Sequence, residues 1–404
     1  MKIKTIKRFI KKIPYAKAIK ERIYRYLVKT NRVSYRNPVD YFEHMKLYRT
    51  LTEKNDYISF DNLLNSCSTF GFLLSRNEDK LIVKNISGVF SSKKIVFTDD
   101  NDFDSADVYF VFGIGQKYYN NLLALYYMGK SVYVLEESFL KSVLPGSMKS
   151  SKFASDKFLS SICYLFDSKS PHFYPGIISQ LEYELNSTYE LTQDEVARSK
   201  NLIQLIVESG LSKYNCQPLS ANFCFDTDKK YVLVVDQVYG DFSVAISGGN
   251  ESTFVAMLNS AISDNPDSTI IVKTHVDKYS KETYFSRMNI PDNVVFFNEP
   301  VAPAFLLSRV DKVYAYSSAI GWEALLFGKE VHIFGSPIYA GWGITNDRRS
   351  FLGRRTRHRS IEEVFYFIYI KHSIYIDPDT LSVSTPESAI RQLIDLREQY
   401  FGVQ

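Results

Sequence analysis

The chain has 404 residues, 45% hydrophobic and 23% charged, the composition of a soluble globular protein but too long for one ordinary core, so two domains are expected. No run of 18 apolar residues and no signal-peptide pattern occurs, which argues against a membrane-spanning or secreted chain and for a cytoplasmic one. The net charge of +4 is uneven: residues 1–33 hold twelve Lys or Arg against Glu21 alone, leaving that segment at +11 and the remainder at −7.

In the basic segment Ile3, Ile6, Ile10 and Ile13 recur at helical spacing on a cationic surround, and Pro14 opens a second helical piece. Two readings follow. One is a helix lying in an anionic membrane interface, where each Lys or Arg contributes about 1 kcal/mol. The other is a solvated helix docked on its own domain by the isoleucines. No nucleic-acid motif accompanies the charge, so no nucleic-acid partner is expected.

β-branched runs then alternate with helical ones, the pattern of α/β architecture with parallel sheets. Residues 93–98, 106–113 and 131–136 read as strands, with a helix in 116–129. Residues 192–211 read as a long amphipathic helix with Thr192 as N-cap and Gly210 near its end. After a polar stretch near residue 220 the pattern restarts, with strands at 231–236, 268–275, 293–298, 311–318 and, last, 330–335. Ligands of such sheets bind at the carboxyl ends of the strands, so the expected fold is α/β and glycosyltransferase-B-like: two Rossmann-type domains whose parallel sheets face a cleft. A single large doubly wound sheet is the alternative. The expected domains are basic N-terminal helices (1–33), an acceptor domain (34–220), a nucleotide-sugar domain (221–380) and a C-terminal helix (381–404) packing back on the acceptor domain. Cys67, Cys163, Cys216 and Cys224 have no CxxC spacing and read as reduced packing residues.

Candidate site residues collect at strand ends. Ser317 and Ser318 open the helix of "SSAIGWEALLFG", whose unpaired N–H groups suit a phosphate, with Glu323 one turn in as a ribose acceptor. The plainer reading makes Ser318 an N-cap and leaves Glu323 capping or solvated. "IIVKTH" delivers Lys273 and His275, cationic or proton-donating groups suited to a departing phosphate. "DQVYGDFS" supplies Asp236, Gln237, Asp241 and Ser243 around Gly240, candidates for a nucleophile or base, though turns favour Asp and Gly in any case. Glu136 and Glu137 end a strand, where one acid could work with Asp241. The spacing in "DQVYGDFS" is not that of a DxD metal site, so no metal is expected, and the absence of GxxxxGKS, GxSxG and HExxH argues against nucleoside triphosphatases, serine hydrolases and zincins.

In combination, "LEESFLKS", "GLSKYN", "DQVYGDFS", "SSAIGWEALLFGKEVHIFGSPIYAGWGITND", "RRTRHRSIEEVFYFIYI" and "YIDPDT" resemble the retaining β-Kdo transferases of bacterial capsule and O-antigen assembly. Kdo is 3-deoxy-D-manno-oct-2-ulosonic acid. The matches run in order over roughly residues 95–380. The resemblance implies CMP-Kdo as donor, a lipid-linked glycan as acceptor, no metal or cofactor, and peripheral contact with the cytoplasmic face of the inner membrane. By position it makes Asp241 the nucleophile of a covalent Kdo adduct and Glu136 an acid/base or acceptor-positioning group. His275, with Gln237, Lys273, Ser317, Ser318 and Glu323, then forms the donor site. Two departures stand out: the family's His-Pro is His275-Val276 here, and its Glu-Asp-Gly is Glu136-Glu137-Ser138. The Arg run 354–359 reads as a solvated or acceptor-facing surface. A sialyltransferase-like or other nucleotide-sugar transferase, and a non-catalytic polysaccharide-binding or export protein, are the competing functions.

Overall fold

The computed structural model describes residues 67–73, 94–97, 106–113, 128–274, 283–286, 290–349 and 353–402, with isolated positions 82, 85, 88, 90, 122 and 125. The basic segment 1–33 and His275 therefore lie outside the described residues. The chain divides into two compact units, Met1–Glu78 with Ser92–Val134, and Asp79–Ser91 with Leu135–Gln404.

In the first unit β1 (Thr69–Leu73), β2 (Lys94–Phe97) and β3 (Val108–Phe112) are parallel in the order β3-β1-β2, with Phe70 opposite both Ile95 and Val108. Phe72 stacks on Phe110 at 4.8 Å between ring centroids. A β-carbon on Gly71 would lie 2.5 Å from the Tyr109 ring, so only glycine lets β1 approach β3 this closely. Strand β4 (Ser131–Glu137) begins in this unit and ends in the second.

The second unit contains β5 (Cys163–Asp167), α1 (Gln180–Leu185) and α2 (Gln193–Ser209) before its main sheet. Thr192 and Glu195 form a reciprocal capping box at the start of α2, and Gly210 ends it in the left-handed conformation at φ 62°. The main sheet is built from β6 (Lys230–Val235), β7 (Ser268–Lys273), β8 (Val294–Phe297), β9 (Lys312–Ala315), β10 (Glu330–Ile333) and β11 (Asn346–Asp347), all parallel in the order β11-β10-β9-β6-β7-β8. Val232 to Val235 are all buried, the continuous apolar run of a strand covered on both faces. Two helices enter this unit from strand ends, α3 (Phe242–Ile246) and α4 (Glu251–Asp264), and α5 (Ala319–Leu326) follows β9. In α4 the buried residues Phe254, Met257, Leu258 and Ala261 trace one helical stripe.

The chain does not stop adding strands at residue 335. After α6 (Ile361–Phe365) and a π-helical turn at Tyr366–Lys371, β12 (Ser373–Ile376) pairs antiparallel with β5, and β13 (Val383–Ser384) pairs antiparallel with β12. These strands are four and two residues long, too short for their periodicity to stand out. The last helix, α7 (Pro386–Gly402), lies against α2: Arg198 pairs with Glu387 at 2.7 Å, and Arg397 donates to the Ser209 carbonyl at 2.7 Å.

The Arg run corrects the expectation of a solvated surface. Arg355 and Arg359 are buried, 8% and 3% exposed. Arg354 and Arg355 pair with the buried Glu182 of α1 at 2.5 and 3.2 Å, and Arg355 also donates to the Pro337 carbonyl at 2.6 Å. Arg359 donates to the carbonyls of Leu185 and Ser187 at 2.8 and 2.6 Å and to Glu363 at 2.6 Å. A guanidinium with five donors can serve several carbonyls at once, so this cluster clamps α1, α6 and the 337–342 loop together. Among the cysteines Cys163 is buried as expected, whereas Cys224 is exposed.

Candidate functional site

The residues read from the sequence lie at the carboxyl ends of β4, β6, β7 and β9, with Glu323 inside α5. Beyond β6 the chain passes Asp236 and Gln237 and turns at Gly240, whose φ of +77° favours glycine. Asp241 then caps α3, its Oδ1 accepting from Ser243 N at 2.7 Å and Ser243 Oγ at 2.8 Å. The two donors fix one carboxylate oxygen. Asp236 is only 3% exposed, and burial pushes its carboxyl up to about 7.

Gln237 meets the end of β9. Ser317 N donates to its Oε1 at 3.0 Å, and its Nε2 donates to Ser317 Oγ at 3.4 Å. Ser318 is the N-cap of α5, with its Oγ accepting from Ile320 N at 3.2 Å, as the plainer reading had it. Its carbonyl accepts from Tyr339 Oη at 2.6 Å, and a β-carbon on Gly321 would come 2.4 Å from that same oxygen. Tyr339 belongs to the "YAGWG" run, so this run fixes the first turn of α5. Lys273 is directed elsewhere: its ammonium donates to the Glu299 carbonyl at 3.2 Å and lies over the Phe297 ring, and burial lowers its pKa to about 8.

Glu323 is 5% exposed and faces inward. Its Oε1 accepts from Ser212 Oγ at 2.7 Å and from Lys213 N at 3.3 Å, and burial pushes its carboxyl up to about 7 against those bonds. Glu136, at the end of β4, is pushed up to about 8 by burial and by Glu137 beside it, with Lys213 and Lys141 opposing. Glu137 pairs with Lys141.

Two side chains at this site carried no signal of their own in the sequence. Burial opposes the charge of Lys213, but Tyr214, Glu137, Glu136 and Asp241 together hold its pKa above the usual value. His172 is driven down to about 3 by burial and by Lys213, so its imidazole is neutral, and its Nδ1 has no hydrogen-bond partner among the described residues. His172 lies in a loop without a motif, and Lys213 lies in "GLSKYN", which was legible only as one piece of the family resemblance.

The arrangement thus joins Gln237 with Ser317 and holds Asp241 on Ser243, while Lys273 is turned to Glu299. An acid near 8 can exchange a proton around neutral pH, and an aspartate fixed at a strand end can act as a nucleophile.

Residues 178–377 match the model of the capsule polysaccharide biosynthesis protein family. The chain is 34% identical over 212 residues to the capsule polysaccharide modification protein LipA of Neisseria meningitidis serogroup A, covering 50% of this chain and 30% of that protein. It is 30% identical over 231 residues to the lipopolysaccharide-processing protein LpsZ of Rhizobium meliloti, covering 56% and 51%. The chain thus spans about half or less of the length of these curated relatives. Among solved structures it resembles the β-Kdo 2,4 transferase of Thermosulfurimonas dismutans KpsC, with a TM-score of 0.71, 28% identity, and 80% and 97% of the two chains covered. The β-Kdo 2,7 transferase of the same protein matches with a TM-score of 0.57 at 21% identity, covering 82% and 99%. The α/β fold is that of the glycosyltransferase-B class.

Proposed function

We propose, for a chain that over residues 178–377 belongs to the capsule polysaccharide biosynthesis protein family, a glycosyltransferase that moves Kdo from CMP-Kdo to a lipid-linked bacterial surface glycan. The observation that carries this reading is the Gln237–Ser317 pairing across the ends of β6 and β9, with Asp241 held by Ser243 at the start of α3 in the same unit. The likeness to a β-Kdo 2,4 transferase at 28% identity supports the sugar. CMP as the nucleotide, retention of configuration and independence of metal are parts of the proposal.

In this mechanism Asp241 attacks C2 of Kdo while the bond from C2 to the phosphate oxygen breaks, its electron pair leaving with CMP. Ser243 N and Oγ hold the attacking carboxylate in place. The acceptor hydroxyl then displaces Asp241 from C2 and passes its proton to Glu136. Two inversions restore the configuration. A base near 8 accepts that proton better than an ordinary carboxylate. The donor's nucleotide is assigned to the start of α5, with Gln237, Ser317 and Ser318, and His275 completes the donor side. The basic segment 1–33 supports attachment to the cytoplasmic face of the inner membrane.

Incubation with CMP-Kdo and a panel of synthetic glycan acceptors tests the reading. Release of CMP with formation of a Kdo-extended glycan, undiminished by EDTA, is the expected result. Failure to use CMP-Kdo, with turnover of a UDP- or GDP-sugar instead, overturns it.

A further inference from the structure

The turn that delivers Asp241 closes on itself and is also held from outside. Within it Asp241 N donates to the Val238 carbonyl at 3.0 Å, with Gly240 at a positive φ between them. From outside, Gly240 N donates to Tyr284 Oη at 3.1 Å. The N–H groups on either side of the Gly240 α-carbon are thereby both committed, and the backbone angles of Gly240 are set. Tyr284 is 4% exposed, and its ring stacks on Phe254 of α4 at 3.9 Å between centroids and 6° between planes. Tyr239, just before Gly240, packs on the same ring at 5.0 Å. The short turn that carries Tyr284 is closed by Thr283 N donating to Ser286 Oγ at 2.9 Å and Ser286 N donating to the Thr283 carbonyl at 3.2 Å. Val244 of α3 lies in the same buried cluster as Phe254 and Tyr284, so the helix that Asp241 caps and the phenol that holds Gly240 rest on one core. Burial pushes the Tyr284 hydroxyl up to about 12 against its bond to Gly240, which keeps it an uncharged phenol at neutral pH.

We propose that Tyr284 is a positioning residue of the transfer reaction: its hydroxyl, anchored by the stack on Phe254, sets the Gly240 turn and so the direction from which Asp241 attacks. The inference rests on the transferase reading. Ser243 fixes one oxygen of the Asp241 carboxylate, whereas Tyr284 fixes the backbone from which that side chain springs. Both are needed, because a shift of the backbone carries the oxygen with it, and a misplacement of about 1 Å costs on the order of 100-fold in rate. The helix that follows Asp241 has only five residues and gives the turn little support of its own. The aromatic core supplies it.

The test compares native protein with Y284F, G240A and the double variant, reading kcat for Kdo transfer, KM for CMP-Kdo, CMP affinity by calorimetry and hydrogen exchange of the Gly240 amide by NMR. Y284F keeps the ring and its stack and removes only the oxygen. G240A strains the turn through its φ of +77°, while the added carbon meets nothing within 4 Å among the described residues. In Y284F the Gly240 amide is expected to exchange about fivefold to tenfold faster, as befits the loss of one hydrogen bond of ordinary strength. Its kcat is expected to fall about 10-fold to 100-fold, with KM and CMP affinity within about twofold of native. G240A shows the same split, and the double variant is hardly slower than the slower single one, since both changes act on one turn. Native kcat in Y284F, or a loss shared equally between kcat and CMP affinity, overturns the inference. So does unchanged exchange of the Gly240 amide. Where Y284F does not fold, G240A carries the test, and native kcat in folded G240A contradicts it. A native protein that never transfers Kdo overturns the transferase reading instead, and exchange of the Gly240 amide in Y284F still decides whether Tyr284 holds the turn.

Discussion

Gln237 and Ser317 hold each other across two strand ends: Ser317 N donates to Gln237 Oε1 at 3.0 Å while Gln237 Nε2 donates to Ser317 Oγ at 3.4 Å. The pair fixes the approach to α5, where the proposed nucleotide site begins. Q237A releases both Ser317 groups, and loss of one positioned hydrogen bond corresponds to about 1 kcal/mol. CMP affinity measured by calorimetry is therefore expected to fall about fivefold to tenfold in Q237A, with little change in unfolding midpoint. Unchanged affinity would remove this pair from the nucleotide site.

Gly321 and Tyr339 give a test of packing at the same helix. The β-carbon of G321A meets Tyr339 Oη, and overpacking of this kind costs about 1–3 kcal/mol. Y339F removes the obstructing oxygen but also its bond to the Ser318 carbonyl. In denaturant unfolding the double variant G321A/Y339F is expected to lose less stability than the two single changes added together. Strict additivity would mean the two residues do not crowd each other.

Glu182 serves two arginines inside the protein, so removing one partner leaves a buried charge without compensation. E182Q and R355M are each expected to lower unfolding stability by about 3–5 kcal/mol. An exposed pair such as Arg357–Glu190 gives about 0–1 kcal/mol when broken. Equal, small effects would return the Arg run to the surface role first read from its charge.

Stability depends on pH through Glu323 and Glu136, whose carboxyls are raised to about 7 and about 8 from the usual 4.5. The folded state keeps protons that the unfolded chain releases, so their contribution is complete below about pH 4.5 and is lost as pH rises through 7 to 8. His172 runs the other way, its depressed pKa removing stability as pH falls below 6.5. E323Q preserves a neutral acceptor for Ser212 and Lys213. It is expected to match native protein near pH 5 and to exceed it by about 2 kcal/mol at pH 8. The same pH dependence in both proteins would show that Glu323 carries no such proton.

The sequence was most legible where one local rule governed. Thr192 and Gly210 announced the limits of α2, and the runs at 231–236 and 319–328 announced β6 and α5, because caps and periodicity act over a few residues. Asp241 and Ser317 stood out because strand ends followed by Gly or Ser mark loops and helix starts. The buried place of Glu323 was not legible: it depends on Ser212, 111 positions earlier, meeting it. The Arg run misled for the same reason, since Glu182 and the Leu185 and Pro337 carbonyls that absorb its charge are distant in the chain.

The most direct measurement of the central claim is CMP release from CMP-Kdo with acceptor by native protein and D241N, paired with calorimetric CMP binding by both. The account predicts transfer by the native protein, turnover at least about 1,000-fold slower in D241N, and similar CMP binding in the two. Native-like turnover by D241N contradicts it.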